Sequence, residues 1–243
     1  MYKPHNLIKS PENEEVKIWR YVDFTKLVSL LDKHALFFSV ATNLSDPFEG
    51  SLSKKSLHER EQFIKNVPEF RDDQNLHLES ASLPFKNARN FMLLNCWHIN
   101  EHESAAMWKL YLNSNEGVAI RSTFKRLKES FNSYRDKDVF IGEVYYDFET
   151  ASMPFGNVLA TYFYKRKSYE YERELRAAIM GSLDEAKKRG GEYIPVDLET
   201  LIERLYICPT APKWIDELVR SVVAKYNIKA SICQSDLKSS PLY

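Results

Sequence analysis

The chain has 243 residues, 44% of them hydrophobic, enough for one large domain or two small ones around a buried core. Its 34 basic and 34 acidic side chains cancel, which removes any global electrostatic drive toward nucleic acid or a membrane surface. Three widely separated cysteines argue against a disulfide framework and for a reducing compartment, and no run of about 18 apolar residues is present to span a membrane.

Residues 1–16 are polar, carry Pro4 and Pro11, and read as an arm. No apolar core of a signal peptide follows Met1, so a cytoplasmic protein is expected. Residues 17–243 read as one domain. Lys17 to Val22 is rich in aromatic and β-branched residues and predicts a strand. Asp23 or Thr25 is placed to cap a following helix with Leu27, Val28, Leu30 and Leu31 on its apolar stripe. Ala35 to Val40 predicts a second strand. Asn43 to Gly50 collects turn formers, with Phe48 expected to anchor the loop in the core. Residues 54–90 are charged and weakly periodic; a helix near 55–66, looser structure after Pro68 and an insertion or lid are expected there.

Phe91 to Trp97 is an apolar run that suits a buried central strand. A short helix at 104–112, a strand at 117–122, a helix capped by Thr123, and a strand at 139–146 follow. Further strands are expected at 193–196, 205–208 and 228–233. A helix over 213–226 presents Trp214, Leu218, Val222 and Tyr226 at helical spacing. Short strands alternating with helices imply an α+β (mixed α/β) fold, a single domain with a central mixed or antiparallel sheet flanked by helices. With seven glycines and no Gly-x-Gly-x-x-Gly or Walker loop, a Rossmann or phosphate-cradling site is not expected.

The segment Tyr169-Glu170-Tyr171-Glu172-Arg173-Glu174-Leu175-Arg176 carries the densest chemistry. If extended, Glu172, Glu174 and Arg176 share one face, with Tyr171, Leu175, Ala177 and Ile179 on the other. If helical, Glu172 and Arg176 become an ordinary surface ion pair four residues apart. In Trp19-Arg20-Tyr21 the alternation places Arg20 opposite both aromatics, where its planar fork suits a phosphate or carboxylate; a surface arginine is the plainer reading. Asp46 and Glu49 flank Pro47 and Phe48 and bring two carboxylates either to a cleft or into a structural turn. Trp108 and Tyr111 suit core packing or a pocket wall. His98 and His102 lack a third ligand at a telling distance, and Cys96 with His98 lacks an orienting third group, so neither a metal site nor a Cys-His nucleophile is expected.

Several of these stretches together resemble one bacterial family, the domain of unknown function 2971 family. They are Trp19-Arg20-Tyr21, Leu44-Ser45-Asp46-Pro47-Phe48-Glu49, Cys96-Trp97, Met107-Trp108-x-x-Tyr111, Gly117-Val118-Ala119-Ile120 and Tyr171-Glu172-Arg173-Glu174-Leu175-Arg176. The resemblance implies one compact domain and favours a strand over 169–180. The order of a cation on the first strand, a helix, a strand with a small hydroxyl, and a late Glu-x-Glu is also similar to arginine-serine-glutamate ADP-ribosyltransferases. That likeness implies NAD as substrate, with Arg20 on a phosphate or ribose, Ser39 supporting the nicotinamide ribose, and Glu174 or Glu172 catalytic. Here Phe37-Phe38-Ser39-Val40 stands in place of the usual Ser-Thr-Ser. The expected function is therefore an NAD-using ADP-ribosyltransferase-like enzyme or a defence or toxin effector. Two alternatives stand beside it. One is a non-catalytic module for a small anionic ligand or protein partner on Arg20 and Arg176. The other is a magnesium-dependent nuclease or hydrolase built on Asp46, Glu49, Glu172 and Glu174.

Overall fold

The computed structural model describes residues 1–68, 74–112, 114–182 and 190–241. The fold is a mixed α+β single domain. Strand β1 (Lys17–Asp23) leads into helix α1 (Phe24–Lys33) and strand β2 (Ala35–Val40). Helices α2 (Lys54–Asn66) and α3 (Gln74–Ala88) intervene before β3 (Met92–Ile99). Then come α4 (Ala105–Tyr111), β4 (Gly117–Thr123), α5 (Phe124–Ser130) and β5 (Phe140–Glu143). The chain ends with β6 (Glu174–Met180), β7 (Gly191–Pro195), α6 (Leu198–Leu201), β8 (Arg204–Ile207), α7 (Lys213–Lys225) and β9 (Ser231–Gln234).

The sheet forks at β3. One edge of β3 pairs along its length with β6, which pairs in turn with β5. The other edge is shared. Its start takes β2 through Ser39–Leu94 and Val40–Leu93, and its end takes β1 through Ile18–Ile99 and Trp19–His98. From there β1 leads one branch through β4, β8 and β9, while β2 leads another to β7. All these pairs are antiparallel except β8–β9. Between the two points of attachment, the middle of β3 has no strand partner on this edge among the described residues. Side chains take over: Arg20 Nη1 donates to the Cys96 carbonyl (2.6 Å), and Asn95 Nδ2 donates to the Phe37 carbonyl (2.9 Å). Buried carbonyls need such partners. The main core joins the two branches through Leu27, Leu31, Leu36, Phe38, Ile120, Ile194 and Ile207.

Strand identities follow the sequence patterns closely, but several details differ. Residues 167–172 form a 3-10 helix, and β6 begins only at Glu174. The all-strand and all-helix readings of 169–180 are therefore each half right. The expected strand at 139–146 is shorter, since Tyr145 turns away to bridge Tyr164. Looser structure after Pro68 is replaced by α3, which tolerates Pro84 inside it; residues 69–73 of that expected insertion lie outside the described residues. Helix α7 buries Ile215, Val219 and Val223, whereas Trp214 and Leu218 face outward. Apolar residues lie at both registers, and the one facing α1 and the sheet is offset by one position. Asp23 occupies the N-cap of α1 without a cap bond; it lies 3.8 Å from Lys26 instead. Phe48 is 44% exposed and packs edge-on against Phe148 rather than anchoring the loop in the core. Residues 1–16 lie against β5, with Tyr2 bridging Val139 and Ile8 buried. Among the described residues no helix is long and apolar enough to cross a membrane.

Candidate active site

Five ionisable side chains form a buried cluster on one face of β6. Glu174 and Arg176, two apart on the strand, point the same way as the pleat requires. Arg176 is fully buried. Its Nε and Nη2 donate to the two Glu174 oxygens (2.6 and 2.9 Å), and its Nη1 and Nη2 donate to the two Glu49 oxygens (2.6 and 3.0 Å). The Tyr162 carbonyl takes a further bond from Nη1 (2.6 Å). A planar guanidinium is the side chain that can hold two carboxylates in one plane. Glu49 reaches it because Gly50 turns at φ +72°, under the Tyr162 ring, where a Cβ would lie 2.2 Å from the ring.

Glu172 joins the cluster by a different route. The 3-10 helix ends at Glu172, and Arg173 takes a left-handed conformation (φ 40°, ψ 56°) before the strand starts. His98 Nδ1 donates to the Glu172 carbonyl (2.6 Å), and Tyr146 Oη accepts from the Glu174 amide (2.7 Å), so both ends of this turn are tied. Lys165 completes the cluster. Its ammonium bonds the Glu172 carboxylate, donates to Glu174 Oε2 (3.2 Å) and lies 3.6 Å from Glu49. Three carboxylates thus face two cations.

The two glutamates differ electrostatically. Burial acts to raise the Glu174 pKa, but the charges of Arg176 and Lys165, with their hydrogen bonds, outweigh it and hold the group at about 2. For Glu172 burial wins: its pKa is raised, against the opposing pull of Lys165 and with the help of the Glu174 charge. Burial draws the Lys165 ammonium down, yet Glu174, Glu49 and Glu172 more than restore it, so its pKa ends above the ordinary value. Both Glu174 oxygens are engaged, whereas Glu172 Oε1 makes no hydrogen bond among the described residues.

A hollow of about 100 Å³ opens over this cluster, lined by Arg20, Cys96, Tyr111, Glu172 and Glu174 with Trp19, Tyr21, Trp97 and His98. Arg20 makes no ion pair among the described residues, and burial lowers its pKa. It also lines a second hollow of about 290 Å³ between α1, β1 and β2, walled by Phe37, Tyr193, Thr25, Lys26 and Ser29. Arg20 therefore stands on the partition between two cavities. Burial pushes the Cys96 thiol up, which keeps it protonated and unsuited to nucleophilic work.

The remaining sequence candidates lie elsewhere or serve structure. Asp46 accepts from the Phe48 amide (3.0 Å) and from Arg166 (2.9 Å), so it closes the turn rather than lining the hollow. Glu49 and Arg176 are packing partners under the site. Ser39 follows Phe37 on the same face of β2 but lines neither cavity; among the described residues its hydroxyl reaches only the Val40 carbonyl, at 3.5 Å. Trp108 is buried, donates to Glu103 (2.7 Å) and borders a different groove beside α4. The four carboxylates proposed for magnesium do not form a metal site. Asp46 is spent on Arg166, while Glu49, Glu172 and Glu174 face Arg176 and Lys165, and no metal-binding group occurs among the described residues. Lys165 and Asn95 were not singled out from the sequence. The basic triplet Lys165-Arg166-Lys167, immediately before the acidic stretch, is the signal that marks the first.

No protein-family model and no curated protein matches this chain, so the domain of unknown function 2971 resemblance rests on its motifs alone. Solved structures with a loosely similar backbone include DarT of Thermus sp. 2.9 in complex with ADP-ribosylated single-stranded DNA. That structure has TM-score 0.43 and 10% identity, over 94% of this chain and 97% of the other. The same protein in complex with NAD+ gives TM-score 0.42 and 10% identity, over 96% and 100%. A likeness this distant carries no assignment of activity, and the reading below rests on the side chains.

Proposed function

We propose that this protein binds an NAD-type dinucleotide across Arg20 and cleaves its nicotinamide–ribose bond, passing ADP-ribose to an acceptor. The observation that carries the reading is the pairing, in one hollow, of a guanidinium without a carboxylate partner and a glutamate with one oxygen unbonded, both among the described residues. Arg20 on the partition suits the anionic middle of a molecule with a ring system at each end. The larger hollow, with Phe37, Tyr193 and the Thr25 and Ser29 hydroxyls, suits a base and its ribose.

In the reaction, the bond from ribose C1′ to the nicotinamide nitrogen breaks and its electron pair leaves with nicotinamide. C1′ becomes oxocarbenium-like. The Glu172 carboxylate stabilises that charge and orients the ribose hydroxyl, as carboxylates do in glycoside cleavage. The acceptor's nucleophile then bonds C1′ and releases its proton to solvent water. Lys165 holds Glu172 in place from behind. Glu174, neutralised by Arg176, serves as the fixed wall of the site.

The test is nicotinamide release from labelled NAD with purified protein. Glu172→Gln is expected to lower turnover by about 10²–10³-fold, the cost of removing one preorganised charge-stabilising group, while the thermal midpoint is kept. Turnover that persists unchanged in Glu172→Gln, in Glu174→Gln and in the double variant refutes the assignment. A non-catalytic anion site is the second reading, favoured by the Lys165 contact that already neutralises Glu172. It predicts NAD-induced stabilisation without nicotinamide release.

A further inference from the structure

A second cationic site stands apart from the β6 cluster. Arg60, on α2, is 6% exposed and makes no ion pair among the described residues. Its Nη2 donates to the Pro154 carbonyl (3.2 Å), and its Nε is buried with no hydrogen-bond partner among the described residues. The guanidinium lies between two rings, 4.3 Å from the centre of Phe85 and 5.1 Å from that of Phe155. It lines a hollow of about 300 Å³ between α2, α3 and residues 155–158, walled by Phe63, Ile64, Phe85, Phe155 and Val158. Phe63 and Phe155, which touch at 5.6 Å between ring centres, are each more than half exposed.

A buried cation with no counter-charge is costly, and an apolar wall left in water adds to the cost. The aromatic rings offset part of it through their π faces, but they supply no acceptor for the nitrogen atoms. We propose that this hollow binds a small aromatic monocarboxylate, its carboxylate on the Arg60 guanidinium and its ring among Phe63, Phe85 and Phe155. The volume is at the lower end for small-molecule pockets. One guanidinium balances one negative charge, which favours a monoanion over phosphate. A neighbouring hollow that Arg60 also borders is lined by Glu61, Glu79 and Lys86. The site shares α2, and with it the Ser53 cap that bonds the Ala151 carbonyl (2.6 Å), with the chain leading from Glu49.

The probe is 3-phenylpropionate, with its neutral amide and inorganic phosphate as controls, measured by calorimetry and thermal shift on the full chain. The carboxylate is expected to bind and raise the melting temperature, the amide to bind at least tenfold more weakly, and phosphate not to bind. Arg60→Met, which keeps the apolar stem and removes the charge, should abolish binding. Phe155→Ser changes an exposed ring and should weaken binding at least tenfold in a protein whose fold is untouched, so the wall is tested even where Arg60→Met fails to fold. Equal binding of the amide, retained affinity in either variant, or no binding of the carboxylate at millimolar concentration overturns the proposal. The site is independent of the NAD reading, since none of these measurements uses nicotinamide release.

Discussion

Arg176 and Glu172 show how differently two charged residues of one cluster behave. Arg176 is enclosed and holds two carboxylates, so Arg176→Met leaves Glu49 and Glu174 buried with only Lys165 between them. Breaking a buried ion pair from one side costs about 3–5 kcal/mol, and urea unfolding should show a loss in that range. Glu172 already carries a raised pKa, so its charged form is disfavoured by the fold. Glu172→Gln should therefore change stability at neutral pH by no more than about 1 kcal/mol, in the range of ordinary substitutions. The contrast separates a residue the fold depends on from one whose loss the fold tolerates. At this scale the sequence was readable where a two-residue alternation applied: Arg20 lies opposite Trp19 and Tyr21 because β1 is an ordinary strand. It was unreadable where the partner came from a distant loop. The turn that Asp46 closes on the Phe48 amide is legible in Asp46-Pro47-Phe48-Glu49, but nothing local there says that Arg166 joins it or that Glu49 runs inward to Arg176.

The junction between the 3-10 helix and β6 is the element that sets the site. A single left-handed residue, Arg173, lets Glu172 approach from a helical turn while Glu174 approaches from a strand. Its carbonyl accepts from the Ile99 amide (2.8 Å), which keeps the β3–β6 ladder running past the kink. A non-glycine residue in this region costs about 1–2 kcal/mol, and glycine loses more entropy on folding. Arg173→Gly should thus be neutral or stabilising by up to about 1 kcal/mol, and Arg173→Val destabilising by about 1–2 kcal/mol. Thermal melts of the two variants check the order. The helix and strand propensities of 169–180 conflict within the window, and the structure resolves the conflict by switching in the middle, which neither pattern alone can express. Helix α7 lies where the periodicity places it, but its buried face was missed for another reason. Apolar residues at two adjacent registers satisfy helical periodicity equally, and only the neighbouring elements choose between them.

For the whole molecule, the cluster sets the response to acid. Glu174 has its pKa held at about 2, below the value of about 4.3 for an unfolded glutamate. Its contribution to stability is complete above about pH 4.5 and is lost as the pH falls toward 2. Glu172, raised instead, contributes with the opposite sign: its penalty at neutral pH is relieved as it becomes protonated. Stability measured by chemical denaturation from pH 7 downward should fall chiefly below pH 4.5, and Glu174→Gln should flatten that fall. The α+β architecture itself was legible because short apolar strands alternate with amphipathic helices. The fork at β3 was not, because two strands that share one edge have the same local pattern as two strands that pair with each other.

That fork gives the molecule a seam. Along most of the sheet, separating neighbouring strands means undoing a row of amide bonds, each with its own strand partner. Between β1 and β2 the span over the middle of β3 is stitched by Arg20 on the Cys96 carbonyl and Asn95 on the Phe37 carbonyl. A guest that draws Arg20 away takes one of these two donors from the seam, and the packed core beneath is left to join the branches there.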